Sequence, residues 1–296
     1  MDKIILNSYA KVNITLDVER KREDGYHDVK MIMQSVSLCD RITIKKSDII
    51  KITTNLKFLP VNEKNIAYKA AALFMDKIGA TGGAEIDIYK RIPVSAGLAG
   101  GSSNAAAVLV GLNKLYGNPF SKEELLDLGG QLGSDVPFCI MGGTALSEGR
   151  GEILTPLPEI SRNTFILIAK PPVHVSTASV YGGLNASKIT ERPDTAGCIS
   201  AIENGDTRGI AMRMYNVLET VTAGEHPVIN ELKLKMIQLG ALGSVMSGSG
   251  PSVIGIFANK TDAFNAKKEL SKTVRDVFVT HAVNCGTEEF RQYERK

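Results

Sequence analysis

The stretch PVSAGLAGGSSNAAA, residues 93–107, decides how the chain is interpreted. Before it, residues 84–90 alternate between apolar and polar side chains and predict a β-strand. After it, residues 104–116 are rich in Ala, Leu and Val and predict a buried helix. The first N–H groups of a helix lack partners and carry partial positive charge, so this turn favours phosphate. A plain glycine-rich turn with a serine N-cap is the alternative.

The loop does not match the best-known nucleotide-binding motifs. A Walker A loop has a lysine directly after its second glycine, but Ser102 stands five positions after Gly97 and no lysine follows. The order Gly97, Leu98, Ala99 also breaks the GxGxxG pattern of dinucleotide-binding domains. The HRD and DFG motifs of protein kinases are absent from the sequence. A nucleotide bound here therefore requires another class of protein.

Size and composition indicate a folded protein and argue against several partners. The chain has 296 residues, more than a usual domain of roughly 100–200, and 43% of them are hydrophobic. A net charge of +3 without dense basic clusters argues against nucleic acid. The four cysteines are far apart, so we expect no metal ligands. Without a long apolar run, we expect a cytoplasmic protein with no membrane contact and no obligate protein partner.

The order of predicted elements indicates two α+β domains. Residues 9–18 alternate strictly and predict a half-buried strand with one polar face, and the first fifty residues read as antiparallel β-structure. The predicted helices of the first half are residues 65–78, 104–116 and 121–129. Prolines and polar residues at 154–164 suggest a boundary, after which strands and helices interleave. We therefore divide the chain into residues 1–157 and 158–296.

The glycine loop resembles the phosphate loop of the GHMP kinases, the superfamily of galactose, homoserine, mevalonate and phosphomevalonate kinases. AKVNITLDV (10–18) and MSGSGPSVIGIF (246–257) resemble the outer motifs of that superfamily, so the resemblance spans almost the whole chain. It implies a two-domain α+β fold with the active site in the cleft, and an ATP-binding N-terminal domain. It also implies Mg²⁺ bound with ATP. The loop residues that it assigns to ATP are Pro93, Val94, Ser95, Ala96, Gly97, Leu98, Ala99, Gly100, Gly101, Ser102 and Ser103.

Shorter motifs resemble one branch of that superfamily. They are AKVN (10–13), DGYHD (24–28), GLAGGSSNAAA (97–107) and GSDVPF (133–138). This branch phosphorylates a cytidine diphosphate-linked methylerythritol. The resemblance implies an ATP-dependent kinase that converts the 2-hydroxyl of 4-diphosphocytidyl-2-C-methyl-D-erythritol to the 2-phosphate, with ADP as the other product. This reaction belongs to non-mevalonate isoprenoid precursor biosynthesis.

The resemblance assigns the catalytic residues. By pattern alone, Asp135 is a turn or N-cap aspartate, and Lys11 and Asn13 lie on a solvated strand face. The resemblance makes Asp135 the base that accepts the proton of the acceptor hydroxyl. Lys11 would stabilise the charge of Asp135 and of the transferring phosphoryl group, and Asn13 would orient the acceptor.

The resemblance also assigns residues to the two nucleotide ends. Tyr26 and His27 follow a glycine at the tip of a mixed-charge hairpin, and by pattern alone they are exposed surface residues without a function. The resemblance places His27 in a hydrogen bond to cytosine and Tyr26 in a stacking contact, with Tyr181 over the other face. Asn65 and Lys90 would lie near the adenine, although an N-cap position and a strand-end lysine explain them equally well.

Two alternatives stay open at this point. A homoserine-type or mevalonate-type kinase would share the loop, and the Gly-Tyr-His segment at residues 25–27 distinguishes the cytidine branch from both. A non-catalytic nucleotide-binding relative would keep the fold without the reaction, and the presence of both Lys11 and Asp135 argues against it. The turn SGSGPS, residues 247–252, is either an ordinary hairpin loop or a wall of the cleft.

Overall fold

The structure, a computed structural model, describes residues 2–290, and its first half begins with two long strands. The elements of this half are β1 (Lys3–Lys21), β2 (His27–Ser47), β3 (Lys51–Thr54), α1 (Ile66–Lys77), β4 (Gly83–Tyr89), α2 (Gly100–Leu115), α3 (Lys122–Leu132), α4 (Val136–Met141), β5 (Thr144–Glu148) and β6 (Ile153–Leu157). β1 and β2 pair antiparallel from Lys3↔Lys45 to Lys21↔His27. The predicted antiparallel β-structure is thereby confirmed. Helix α3 begins with a capping box formed by Ser121 and Glu124.

The second half interleaves strands and helices, as its sequence predicts. Its elements are β7 (Phe165–Lys170), α5 (Thr177–Gly183), a 3₁₀ turn (Ala186–Lys188), α6 (Thr195–Glu203), α7 (Thr207–Met212), β8 (Tyr215–Asn216), α8 (Glu219–Glu225), α9 (Val228–Gln238), β9 (Gly243–Met246), β10 (Val253–Phe257), α10 (Lys260–Leu270), β11 (Asp276–His281) and β12 (Thr287–Glu289). No helix among residues 2–290 is long and apolar enough to cross a membrane.

Two sheets organise these elements and confirm the α+β class. The eight-stranded sheet has the order β12-β1-β2-β4-β3, with β5 and β6 attached beside β2 and the short β8 beside β1. The four-stranded sheet has the order β11-β7-β10-β9. β8 and β12 come from the second half but pair with β1, so the chain returns to its first sheet twice. The domain division at residues 157 and 158 stays a prediction, and Met1 and residues 291–296 lie outside the described residues.

Helices α1 and α2 pack on the eight-stranded sheet, α3 packs against them, and together they form its core. α2 lies close to the sheet at Gly111, where an added Cβ would come within 2.5 Å of Ile44 Cδ1. Phe74 of α1 is fully buried and meets Phe120 edge-to-face at 5.4 Å between ring centroids. This packing fixes the position of α2, and therefore of the glycine loop that precedes it.

The structure corrects one prediction about β1. The polar face of residues 9–18 is not solvated: Lys11 is 4% exposed and Asn13 1% exposed. The turn at residues 247–250 lies against this face, where the Asn13 N–H donates to Ser247 Oγ at 3.2 Å. Contact with the second half thus converts an alternating strand into an interior wall, which strand periodicity cannot reveal.

We expect Phe74→Ala to lower the free energy of unfolding by about 3–5 kcal/mol, since it opens a cavity in the core beneath α2. Urea denaturation would measure this change. The control is Phe58→Ala, which truncates a side chain that is 71% exposed and is expected to shift the free energy by no more than about 0.5 kcal/mol. Equal effects of the two variants would contradict this account of the core.

Candidate active site

A cavity of about 1110 Å³ brings the motifs of the sequence together. The glycine loop, the tip of the β1–β2 hairpin, the start of α1, helix α5 and the turn at residues 248–250 all line it. A cavity of this size exceeds the usual range of roughly 300–1,000 Å³ for small-molecule sites. It therefore has room for two ligands side by side.

The glycine loop presents its backbone to this cavity. Ser95, Gly97 and Ala99 all have left-handed φ angles, of 51°, 72° and 52°. Ala99 is the N-cap of α2 and offers no side-chain acceptor, and the N–H of Ser103 donates to the Ala99 carbonyl at 2.8 Å. The N–H groups that precede Ser103 at the start of α2 have no helical acceptor, so they form an anion-binding helix end.

The turn at residues 247–252 holds this loop in place. Ser247 Oγ donates to the Gly97 carbonyl at 2.9 Å and accepts from the Asn13 N–H. A Cβ on Gly97 would lie 2.1 Å from the Ser247 carbonyl oxygen, so only glycine allows this approach. Ser247 thereby joins the loop, β1 and the second half of the chain at one point.

Two residues of the predicted ATP loop face the interior. Ser103 is fully buried, and its hydroxyl donates to the Tyr9 carbonyl at 2.6 Å. Leu98 is 1% exposed and packs in the core. The first turn of α2 directs the Ser103 hydroxyl to the sheet. The assignment of Ser103 and Leu98 to ATP stays a prediction. The remaining loop residues, from Pro93 to Gly97 and from Ala99 to Ser102, line the cavity, and their contacts with ATP stay predictions.

Lys11 and Asp135 meet at the cavity wall. Lys11 Nζ lies 3.8 Å from Asp135 Oδ2. Asp135 occupies the N-cap position of α4, yet its side chain makes no capping hydrogen bond and is 33% exposed. The carboxylate therefore remains available to a bound ligand instead of serving the helix.

Asn13 acts on Lys11. Its Oδ1 accepts a hydrogen bond from Lys11 Nζ at 2.8 Å, and its Nδ2 contacts Met31 Sδ at 3.1 Å. Lys11 lines the cavity, whereas Asn13 is nearly fully buried behind it. Asn13 therefore lies in position to orient the Lys11 ammonium group, and its predicted role towards the acceptor stays a prediction.

Lys90 belongs to a buried network that the sequence analysis did not find. Its Nζ pairs with Asp40 and donates to Asn104 Oδ1 at 3.1 Å. The Asp40 carboxylate also accepts the N–H groups of Arg91 and Ile92 at 2.6 and 2.8 Å. Asp40 is buried on β2, as are Leu38 and Ile42 two residues before and after it. A carboxylate between apolar residues at alternate positions of a strand is the sequence feature that could have indicated a buried ion pair.

This network supports the start of α2. A Cβ on Gly100 would lie 3.1 Å from Lys90 Nζ, so the ammonium group lies directly beneath the first turn. Asn65 is the N-cap of α1, with Oδ1 accepting from the Ala67 N–H at 2.9 Å, and it also lines the cavity. Contacts of Lys90 and Asn65 with adenine stay predictions.

Aromatic side chains line the other end of the cavity. The rings of His27 and Tyr181 are 5.2 Å apart and tilted by 39°. Tyr26 is 56% exposed at the hairpin tip, and the Arg150 guanidinium lies 5.4 Å from its ring centroid. Arg150 was missed because nothing in the sequence around it signals a site.

The His27 and Tyr181 rings are uncharged near neutral pH. Burial, and then the charge of Lys21, lower the pKa of His27 below the ordinary value of 6.5. Burial, and then the charge of Asp135, raise the pKa of the Tyr181 hydroxyl well above its usual range. A neutral imidazole and a neutral phenol suit an uncharged aromatic ring that offers hydrogen-bond donors and acceptors.

Within residues 2–290, no three His, Cys, Asp or Glu side chains are grouped to hold a metal ion. Asp135 is the one carboxylate among the described residues that line the cavity. Mg²⁺ commonly combines one or two carboxylates with substrate phosphates and water, so this donor set fits a metal that arrives with a phosphate ligand.

Comparison with protein families gives two matches in chain order. The model described as GHMP kinases N terminal domain matches residues 65–143, and the model described as GHMP kinases C terminal matches residues 198–276. The first match contains the glycine loop and Asp135. The second match lies beyond the proline-containing segment at residues 154–164.

Similar proteins carry one name over nearly the full chain. A 4-diphosphocytidyl-2-C-methyl-D-erythritol kinase from Alkaliphilus oremlandii is 50% identical, covering 97% of this chain and 99% of that protein. One from Caldicellulosiruptor saccharolyticus is 51% identical, covering 98% and 100%. A crystal structure of 4-(cytidine 5'-diphospho)-2C-methyl-D-erythritol kinase matches with a TM-score of 0.80 at 31% identity, covering 94% and 99%. Homoserine kinase from Cytophaga hutchinsonii matches in fold, with a TM-score of 0.79 at 22% identity, covering 98% of each chain.

We expect Gly97→Ala to weaken ATP binding about tenfold or more, because the added Cβ collides with the Ser247 carbonyl and strains a left-handed residue. Isothermal titration calorimetry would measure the affinity. The control is Gly130→Ala in α3, where the new Cβ meets only Pro137 Cγ at 3.9 Å. Unchanged ATP affinity in Gly97→Ala would show that this contact does not shape the loop.

We expect His27 to titrate below 6.5 in the folded protein, with burial as the main cause and Lys21 as the lesser one. NMR of the imidazole signals against pH would measure the midpoint, and Lys21→Gln should move it part of the way back. Since the unfolded chain binds this proton more readily, the contribution of His27 to stability rises as pH rises towards 6.5. A midpoint at or above 6.5 would contradict this environment.

Proposed function

The chain belongs to the GHMP kinases, and we propose that it transfers the γ-phosphoryl group of ATP to the 2-hydroxyl of 4-diphosphocytidyl-2-C-methyl-D-erythritol. The products are the 2-phosphate and ADP, and the reaction serves non-mevalonate isoprenoid precursor synthesis. Relatives that are about half identical over nearly the whole chain bear this activity in their names. The observation that carries the proposal is the Lys11–Asp135 pair, which lines the same cavity as the glycine loop and the His27–Tyr181 rings.

The glycine loop and the start of α2 hold the phosphates of ATP. Their unpaired N–H groups and the helix dipole attract the negative oxygens, and the Lys90 ammonium group adds positive charge beneath the first turn. Ser102 lines the cavity and supplies a hydroxyl group. Mg²⁺ bound with ATP would neutralise phosphate charge, and Asp135 and Ser102, which both line the cavity, are the residues that would hold it.

Asp135 and Lys11 act on the acceptor hydroxyl. The hydroxyl oxygen attacks the γ-phosphorus as the bond to the β-phosphate oxygen breaks, and the hydroxyl proton passes to the Asp135 carboxylate. Lys11 stabilises the negative charge that gathers on the transferring group, and Asn13 holds its ammonium group in position. Most of the rate enhancement of such a site comes from positioning and electrostatics.

The His27–Tyr181 end holds the cytosine of the acceptor. Cytosine is an uncharged aromatic ring, so a neutral imidazole can hydrogen-bond it while the Tyr181 ring covers its face. Homoserine and mevalonate contain no nucleobase that could stack on these rings or form hydrogen bonds with them. The likeness to homoserine kinase concerns the fold alone.

The proposed compartment is the reducing cytoplasm. All four cysteines are free, and Cys139 and Cys198 are buried. Burial raises the pKa of the Cys198 thiol to about 12, which makes it unreactive. Free thiols without disulfides are the usual state in a reducing compartment.

ADP release would test the reaction with 4-diphosphocytidyl-2-C-methyl-D-erythritol, homoserine and mevalonate as acceptors. We expect turnover of the cytidylated acceptor, and Asp135→Asn should lower kcat by about 10²- to 10⁴-fold, since it removes the proton acceptor. Asp127→Asn, at an exposed position of α3, is the matched control and should leave kcat unchanged.

Three outcomes would overturn parts of this proposal. Turnover of homoserine or mevalonate alone would refute the acceptor. Full activity of Asp135→Asn would remove the proposed base. ATP binding without turnover of any acceptor would favour a non-catalytic relative.

A further inference from the structure

Arg192 connects the segment that follows α5 to strand β1. Its Nη1 donates to Asp17 Oδ1 at 2.6 Å and to the Val18 carbonyl at 3.2 Å, and its Nη2 donates to the Ala186 carbonyl at 3.2 Å. One guanidinium group therefore joins two strand residues of the first sheet to the 3₁₀ turn directly after α5. No motif of the sequence analysis includes Arg192.

The segment that Arg192 holds carries Tyr181. The start of α5 is attached separately, because the hydroxyl groups of Thr177 and Ser249 lie 2.9 Å apart. Val180 anchors the middle of α5 in the core. Beyond the helix, the three bonds of Arg192 hold the returning chain against β1, so α5 is fixed at both ends.

β1 also leads directly to the partner of Tyr181. Two residue pairs beyond Asp17 and Val18, β1 reaches the hairpin tip, where Lys21 pairs with His27. Arg192 therefore attaches the Tyr181 segment to the same strand that determines where His27 lies. The two rings, 5.2 Å apart, therefore lie on segments that Arg192 connects.

The environment of Asp17 distinguishes this ion pair from an ordinary surface pair. An exposed pair contributes little, because water competes for both charges. The Asp17 side chain, however, is only 13% exposed, and its Oδ1 also accepts the Val18 N–H at 2.8 Å. Removal of Arg192 leaves a mostly buried carboxylate and a strand carbonyl without this donor, so the local structure must shift.

We propose that Arg192, acting through Asp17, is a positioning residue that sets the gap between Tyr181 and His27 and thereby the affinity for the nucleoside part of the acceptor. This inference rests on the proposed function. Arg192 touches neither the phosphate loop nor the Lys11–Asp135 pair in any of its bonds. Its loss should therefore change recognition of the acceptor while binding of ATP and the chemical step continue.

The first test compares Arg192→Met and Asp17→Asn with the wild-type protein. Each variant should raise KM for the cytidylated acceptor about three- to tenfold, with KM for ATP and kcat nearly unchanged. The matched control is Arg213→Met, which breaks a 2.9 Å pair with Asp194 that bonds neither β1 nor α5. Equal rises of both KM values, or the same rise in Arg213→Met, would overturn the proposal.

A double-mutant cycle with Tyr181 tests whether Arg192 acts through the ring. In a Tyr181→Ala background, Arg192→Met should raise KM for the acceptor no further, because there is no ring left to position. If the two substitutions instead raise KM for the acceptor by factors that multiply in the double variant, Arg192 has a general structural role and the proposal is overturned.

Hydrogen exchange tests the Arg192 link without any acceptor, so its result does not depend on which acceptor the protein uses. Without any ligand, amides in α5 and the 3₁₀ turn should exchange faster in Arg192→Met than in Arg213→Met or the wild type. Unchanged exchange there would overturn the tether itself. Faster exchange together with no turnover of the cytidylated acceptor by the wild-type protein would refute the proposed function and leave the tether standing.

Discussion

The close contact between Gly97 and Ser247 is the constraint on which the site depends. The Ser247 hydroxyl donates to the Gly97 carbonyl and accepts from the Asn13 N–H, so Ser247 connects the glycine loop, strand β1 and the turn before β10. Because a Cβ on Gly97 would lie 2.1 Å from the Ser247 carbonyl, the two backbones touch only without a side chain there. This contact joins the two halves of the chain at the wall of the cavity.

Charge is distributed along the cavity in a way that separates its tasks. The loop end combines a helix N-terminus with the Lys90 ammonium group, which Asp40 holds in the interior. At the opposite end the His27 and Tyr181 rings are neutral, because burial lowers the pKa of His27 and raises that of Tyr181, and the basic side chains Lys21 and Arg150 lie beside them. The Lys11–Asp135 pair is the site of proton and phosphoryl transfer in the proposed reaction.

Side chains that line the cavity are held in place by polar residues that lie behind them or outside it. Asn13 orients Lys11, and Asp40 fixes Lys90 together with the backbone that enters the loop. Arg192 performs a comparable task for Tyr181 by joining distant segments. Each of these side chains is a partly or fully buried polar group whose partners satisfy it, and such groups fix geometry because any displacement leaves a charge or donor unpaired.

The sequence by itself determined the loop, the hairpin tip and the GSDVPF segment, because glycine, proline and capping chemistry act over a few neighbouring residues. It also determined most strands and helices, whose periods are local. Only the tertiary structure decided that Ser103 faces the core, that Asn13 serves Lys11, and that the polar face of β1 is buried. These outcomes depend on what a distant segment places against each side chain, and the period of a strand or helix carries no record of that partner.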